Sequence, residues 1–275
     1  MANISCGRCI VTKNRRTRAA HAYRLAAAVP LLVLAGVAQG EAKPPAPAEE
    51  PRVNADPAFP FSNEIEAFAK ADEAGPALRD AILFLGSSSI RLWDIGASFP
   101  RRSIINRGFG GATTADVLRH YPRLLPRAKP RAVLVYVGEN DLAGGASPAA
   151  VARDVLSLLK RLRTDYPAAR IAYLSLKPSP IRWTLWPKMA AVNMTVAARS
   201  RVAGFDYLNV AGSLLASDGL PDASLFRKDG LHMNARGYQR WTGLVQAWLG
   251  AVFPQQLIKE EPQKAPASAL SSLSD

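Results

Sequence analysis

Three adjacent serines, Ser87, Ser88 and Ser89, follow the apolar run ILFLG at residues 82–86. A serine hydroxyl is a poor nucleophile until a base accepts its proton, and the usual base is histidine. The sequence holds three histidines, His21, His120 and His232. His21 belongs to a basic leader. His120 lies in TTADVLRHY, which reads as one short helix with the histidine on its surface. His232 closes the stretch DGLH, three residues after Asp229. That spacing lets one loop present both groups. The carboxylate can accept a hydrogen bond from one ring nitrogen and fix the tautomer, which leaves the other nitrogen for a serine. Hydrolysis of an acyl group also needs donors for the developing oxyanion. The backbone N–H of Ser88, at a strand–helix turn, is one candidate. Gly111, the last residue of NRGFGG, is a second, since a residue without a side chain lets its N–H approach a ligand closely. The side-chain amide of Asn140 is a third. In KPSPIRW, residues 177–183, Lys177, Arg182 and Trp183 are candidate binders of an acidic or sugar-like group. Glu139, beside Asn140, reads as a supporting or solvated residue and not as a catalytic acid.

Buried strands must position these groups. AILFLG (81–86), SIIN (103–106), AVLVYVG (132–138), RIAYLSL (170–176) and DYLNV (206–210) are apolar runs that each stop at a turn signal. Helical patterns lie between them. Ser147-Pro148 is a helix start, with Val151, Val155, Leu158, Leu159 and Leu162 on one face and Pro167 beyond its end. Asn234 can cap a last helix carrying Tyr238, Trp241, Leu244, Val245, Trp248 and Leu249, with Gly250 as the stop. Ser89 is expected to begin the helix after the first strand. Strands without polar alternation, separated by helices, imply a parallel sheet covered on both faces. The fold class is therefore α/β, a three-layer αβα sandwich. Ligands bind beyond the carboxyl ends of such strands. The loops beginning at Gly86, Asn106, Gly138 and Lys177 all leave carboxyl ends, so they should gather on one edge.

The combination resembles the SGNH/GDSL hydrolase superfamily, named for a serine, a glycine, an asparagine and a histidine in four separated segments. Here these read Gly86-Ser-Ser-Ser-Ile90, Asn106-Arg-Gly-Phe-Gly-Gly111, Gly138-Glu-Asn-Asp141 and Asp229-Gly-Leu-His232. The resemblance covers about residues 80–250. It implies a flavodoxin-like five-stranded sheet of order 2-1-3-4-5. It also implies Ser88 as nucleophile, His232 as base and Asp229 as its orienting acid, with Ser88, Gly111 and Asn140 forming the oxyanion hole. The usual Gly-Asp-Ser-Leu reads Gly-Ser-Ser-Ser here, so Ser87 stands in place of the aspartate. That aspartate is not the triad acid, so the change bears on loop packing and substrate range.

Composition narrows the class further. The 275 residues carry a formal net charge of +13. Residues 1–40 contribute six basic groups and no acidic ones, and outside them the excess falls to +7. The remaining cations are scattered, which argues against nucleic acid as a partner. The apolar run LAAAVPLLVLAGVA (25–38) follows the basic region and is too short to span a bilayer comfortably. Ending in Ala38-Gln-Gly40, it reads as a secretory signal. Residues 1–40 are thus expected to be a signal peptide and residues 41–60 a proline-rich linker. Residues 61–253 should form the hydrolase domain, and residues 254–275 a disordered tail. Cys6 and Cys9 are the sole cysteines, and no metal or redox cofactor is implied. The expected function is an exported, periplasmic or secreted serine esterase acting on a small acyl ester: a lipid, a thioester or an acetylated sugar. Two alternatives share the fold. One is an acyltransferase or deacetylase acting on cell-envelope glycans. The other is a non-catalytic glycan-binding module, which has no need of an intact Ser, His and Asp set. Oligomeric state is not legible in the sequence.

Overall fold

Five short apolar strands organise the molecule. The computed structural model describes residues 61–254, so the expected signal peptide, the linker, His21, both cysteines and the tail beyond residue 254 lie outside the described residues. A helix α1, Ser62–Ala74, leads into β1, Ile82–Gly86. Two helical turns follow, α2 (Ser88–Arg91) and α3 (Ile95–Ser98). Then come β2 (Ile104–Gly108), α4 (Thr114–Leu124), β3 (Ala132–Tyr136), α5 (Glu139–Ala143) and α6 (Pro148–Asp165). The chain continues through β4 (Arg170–Leu174), a 3₁₀ turn Pro180–Leu185, α7 (Trp186–Ala203), β5 (Asp206–Leu208) and α8 (Ala235–Val252). The sheet has the order β2-β1-β3-β4-β5, and every pairing is parallel. This is the expected α/β architecture and strand order.

β1 and β3 are buried at every position. Each fully buried Leu, Ile or Val there contributes on the order of 1.5–3 kcal/mol by leaving water. Because the strands are parallel, Gly86 pairs with Gly108 on one side and with Tyr136 on the other. The ends of β1, β2 and β3 therefore lie side by side, and their loops open on one edge. Gly86 is required by this close approach. A Cβ on it would lie 2.0 Å from the Tyr136 carbonyl oxygen and 2.8 Å from its carbon, both backbone atoms that cannot yield. Gly86→Ala is expected to destabilise the domain by about 2–3 kcal/mol, at the upper end of overpacking costs. A denaturant midpoint unchanged from wild type would refute this.

Several expectations shift in the structure. α2 begins at Ser88, not Ser89, with Ser87 in the cap position. α8 runs past Gly250 to Val252, since one glycine in a last turn costs too little to stop a packed helix. Leu244, expected on the apolar face of α8, is exposed. α1 and α7 carry no strong apolar period and are recognised in the structure alone. His120 is not a surface residue. It is buried on α4, its ring edge-on to Phe109 with centroids 6.2 Å apart.

Candidate active site

Five loops build the site at the carboxyl edge. The first turns from β1 into α2. The Ser87 N–H donates to the Tyr136 carbonyl, and the Ser87 carbonyl accepts from the N–H groups of Ile90 and Arg91. Main-chain bonds thus define the turn, and the serine side chain makes no cap bond. Asn106, in the middle of β2, fastens the turn: its Nδ2 donates to the Ile90 carbonyl at 2.8 Å. The Tyr238 hydroxyl of α8 donates to the Ser89 carbonyl at 3.0 Å. Ser88 is held from two sides and is 8% exposed.

The loop before α8 carries the acid and the base. Arg227 N–H donates to the His232 carbonyl at 2.7 Å, and Gly230 N–H to the Arg227 carbonyl at 2.9 Å. Asn234 accepts from the N–H groups of Arg236 and Gly237 and so caps α8, while its Nδ2 donates to the carbonyls of Ser224 and Phe226. The loop closed by these bonds places Asp229 Oδ2 2.7 Å from His232 Nδ1 and His232 Nε2 3.0 Å from Ser88 Oγ. Asp229 Oδ1 accepts from the N–H groups of Leu231 and His232 at 2.8 and 2.9 Å. Burial works to raise the Asp229 carboxyl, but the bond from the His232 ring and the two backbone N–H bonds outweigh it. The carboxyl is held below its usual value, so it is ionised wherever the domain is folded at moderate pH.

The loops after β2 and β3 are tied to each other. Thr114 N–H donates to both carboxylate oxygens of Asp141, at 3.0 and 3.1 Å. Asn140 Nδ2 donates to the Ala112 carbonyl at 3.0 Å. Gly111 has φ of 71°, a left-handed conformation that an L side chain rarely adopts, while a Cβ there would meet nothing within 4 Å. The left-handed turn is what favours glycine there, and the open space beside it leaves room for a ligand to approach its N–H. Gly110, its neighbour, spends its N–H on Glu64 of α1 at 3.1 Å.

The loop after β4 departs most from expectation. Asn193 of α7 straightens it, accepting from Leu176 N–H at 2.7 Å and donating to the Leu176 carbonyl at 2.9 Å. Lys177 is thereby drawn inward. It is 1% exposed and donates to both oxygens of Glu139, at 3.2 and 2.9 Å. It is a buried counter-ion and not a binder of substrate. Of the two readings of Glu139, supporting or solvated, the structure gives the first: it is 3% exposed and also takes bonds from the Tyr136 hydroxyl and from Arg182 Nη1 at 3.1 Å. Burial pushes the Glu139 carboxyl up, but the charges of Lys177 and Arg182 and the Tyr136 bond outweigh it and hold the carboxyl below its usual value. Arg182, expected to face a ligand, has Nη1 turned to Glu139 and to Asn140 Oδ1 at 2.9 Å. Trp183 is half-buried and stacks on Trp186 with centroids 5.9 Å apart. The sequence singled out each of these residues but gave no sign that they pair. Asn193, which holds this loop, carried no signal of its own, and Asp141 stood in its motif without a role.

Among the described residues no group of three or more His, Cys, Asp or Glu is placed to hold a metal ion. Nor is any helix there long and apolar enough to cross a membrane.

Comparison with known proteins bears on the family and the fold. Residues 92–240 match the model of the GDSL-like lipase/acylhydrolase family. The match includes Gly111, Asn140, Asp229 and His232 and starts four residues after Ser88. No curated protein matches. Among solved structures, a Streptococcus pneumonia protein named for platelet activating factor aligns with a TM-score of 0.62 and 19% identity. The alignment covers 68% of this chain and 92% of that one. A GDSL-like lipase from Bacteroides thetaiotaomicron VPI-5482 aligns with a TM-score of 0.57 and 18% identity, over 68% of this chain and 98% of that one. At such identities these neighbours speak for the fold, while the family match spans more than half of the chain. The chain belongs to the GDSL-like lipase/acylhydrolase family, whose members hydrolyse esters.

Proposed function

We propose that this protein is an exported serine esterase that works through an acyl-enzyme on Ser88. One observation carries the reading: Ser88 Oγ, His232 and Asp229 form an unbroken hydrogen-bonded chain, with links of 3.0 and 2.7 Å. His232 Nε2 accepts the hydroxyl proton as Oγ attacks the ester carbonyl. Asp229 keeps the proton on Nδ1 and stabilises the imidazolium that forms. The carbonyl oxygen, now an oxyanion, takes hydrogen bonds from Ser88 N–H, Gly111 N–H and Asn140 Nδ2. The imidazolium then protonates the departing alcohol. Water, deprotonated by the same nitrogen, attacks the acyl-enzyme and restores Ser88. The substrate class is a small-molecule acyl ester, in which lipid esters, thioesters and acetylated sugars share the same carbonyl chemistry.

A fluorophosphonate probe tests the assignment, since it reacts with a serine made nucleophilic by its base. Labelling of the folded wild type at Ser88 is expected, and a wild type that stays unlabelled sinks the proposal. A panel of acyl chain lengths and acetylated sugars then identifies the acyl donor. Export rests on the basic leader and the apolar run at 25–38. N-terminal sequencing of protein recovered from outside the cytoplasm should find a start near residues 41–43, and recovery of a chain starting at Met1 contradicts export by cleavage.

A further inference from the structure

A carboxamide has two ends of similar shape and opposite polarity, so an amide that donates to an oxyanion must be prevented from turning round. Asn140 meets that requirement with two partners. Its Oδ1 accepts from Arg182 Nη1 at 2.9 Å, and its Nδ2 spends one N–H on the Ala112 carbonyl at 3.0 Å. A rotated amide would set Oδ1 against the Ala112 carbonyl and the NH₂ group against the guanidinium, two repulsions in place of two bonds. In the observed orientation the second N–H of Nδ2 remains for a ligand. Arg182 is itself placed by what surrounds it. Its Nη1 also donates to Glu139 Oε1 at 3.1 Å, and Glu139 is fixed from the other side by Lys177. The Ile181 N–H donates to the Gly230 carbonyl at 3.1 Å, which fastens the arginine loop to the loop of Asp229 and His232. Arg182 is the point where the 3₁₀ turn Pro180–Leu185 leaves helical geometry, at φ −113° and ψ 20°. The group behind Asn140 comprises Lys177, Glu139 and Arg182, and the guanidinium is the member that touches the amide oxygen.

We infer that Arg182 is a positioning residue: by holding Asn140 Oδ1 it fixes which end of the amide faces the oxyanion, and its charge polarises that amide as the oxyanion forms. This rests on the esterase reading above and gives Arg182 a task within it other than contact with substrate. The benefit grows as charge develops on the carbonyl oxygen, so it falls on the transition state more than on bound ester. Loss of one oxyanion donor commonly lowers kcat by about 10²–10³-fold, and loss of the residue that aims it should cost part of that.

The test is a double-mutant cycle on the full chain with Arg182→Met, Asn140→Ala and the double variant, read with a short-chain ester. Arg182→Met is expected to lower kcat about 10- to 100-fold with KM changed by less than about threefold, the pattern of a group that acts in the transition state. In the Asn140→Ala background the same substitution should cost less than about threefold, because the amide through which it acts is gone. Arg182→Lys should recover part of kcat in the presence of Asn140 and none in its absence. That comparison, made on variants whose melting temperatures match wild type, stands if Arg182→Met proves poorly folded. Additive effects overturn the inference, as does a loss carried by KM, which would mean that Arg182 meets the substrate directly. A wild type that neither turns over esters nor is labelled at Ser88 overturns the esterase reading and this role with it. An active wild type with an additive cycle overturns the positioning role alone.

Discussion

Ser88→Ala is expected to lower kcat for ester hydrolysis by about 10⁴–10⁶-fold and to abolish labelling by a fluorophosphonate. The reason lies in the 3.0 Å contact between Ser88 Oγ and His232 Nε2. With the oxygen gone, His232 has no proton to take, and water must attack the ester without a positioned nucleophile. The fold should not suffer, because the turn around residue 88 is built from main-chain bonds of Ser87, from Asn106 and from Tyr238. Thermal melting within about 2 °C of wild type is therefore expected, corresponding to about 0.5–1 kcal/mol at most. His232→Ala should strongly reduce labelling without eliminating the reactive atom. Turnover by Ser88→Ala within tenfold of wild type, or labelling that persists in it, would show that the nucleophile lies elsewhere. The flanking Ser87 and Ser89 are both buried and offer a direct control.

The second large effect is on stability. Glu139→Ala should destabilise the domain by about 3–5 kcal/mol, the range seen when one member of a buried ion pair is removed. Lys177 would be left at 1% exposure without its counter-ion, and Arg182 and the Tyr136 hydroxyl would lose a shared acceptor. The penalty depends on pH in a defined direction. The Glu139 carboxyl titrates below its ordinary value of 4.5 in the folded chain. Its contribution is therefore fully present above the unfolded value and is lost as pH falls through the lower, folded one. Urea unfolding should show a wide gap between wild type and Glu139→Ala at pH 7, narrowing as the pH drops below 4.5. A gap that stays constant, or a variant as stable as wild type at pH 7, would show that the pair does not hold the loop. Kinetics of the same variant should suffer as well, because Glu139 stands between Lys177 and the arginine that touches Asn140.

Much of the molecule was legible in its residues. Continuous apolar runs identified the five parallel strands, because strands covered on both faces have no polar side to betray. Ser147 and Asn234 marked the starts of α6 and α8, because a side-chain cap is a local bond between residues two or three apart. The joining of Ser88, His232 and Asp229 followed from the resemblance carried by four short motifs and from the rule that parallel strands deliver their loops to one edge. Strand ends were placed less well, since pairing and not side-chain type decides where a strand stops. α1 and α7 escaped notice because their burial depends on partners distant in sequence, with only Ile65 buried on the first.

Charge pairing was the part that sequence could not reach. Lys177 and Arg182 read as candidate binders of a ligand and Glu139 as a supporting or solvated residue, because the default place for an isolated charge is at the water-facing surface. Only the tertiary structure brings residues 139 and 177, 38 positions apart, into one buried site and turns both cations inward. The same holds for Gly111. Its positive φ and the open space around it are likewise properties of the folded chain alone. The chemistry was set by which residues the chain carries and in what order. Which charges touch, which end of Asn140 faces outward and what holds it there depended on long-range packing, where a low dielectric makes each pairing decisive.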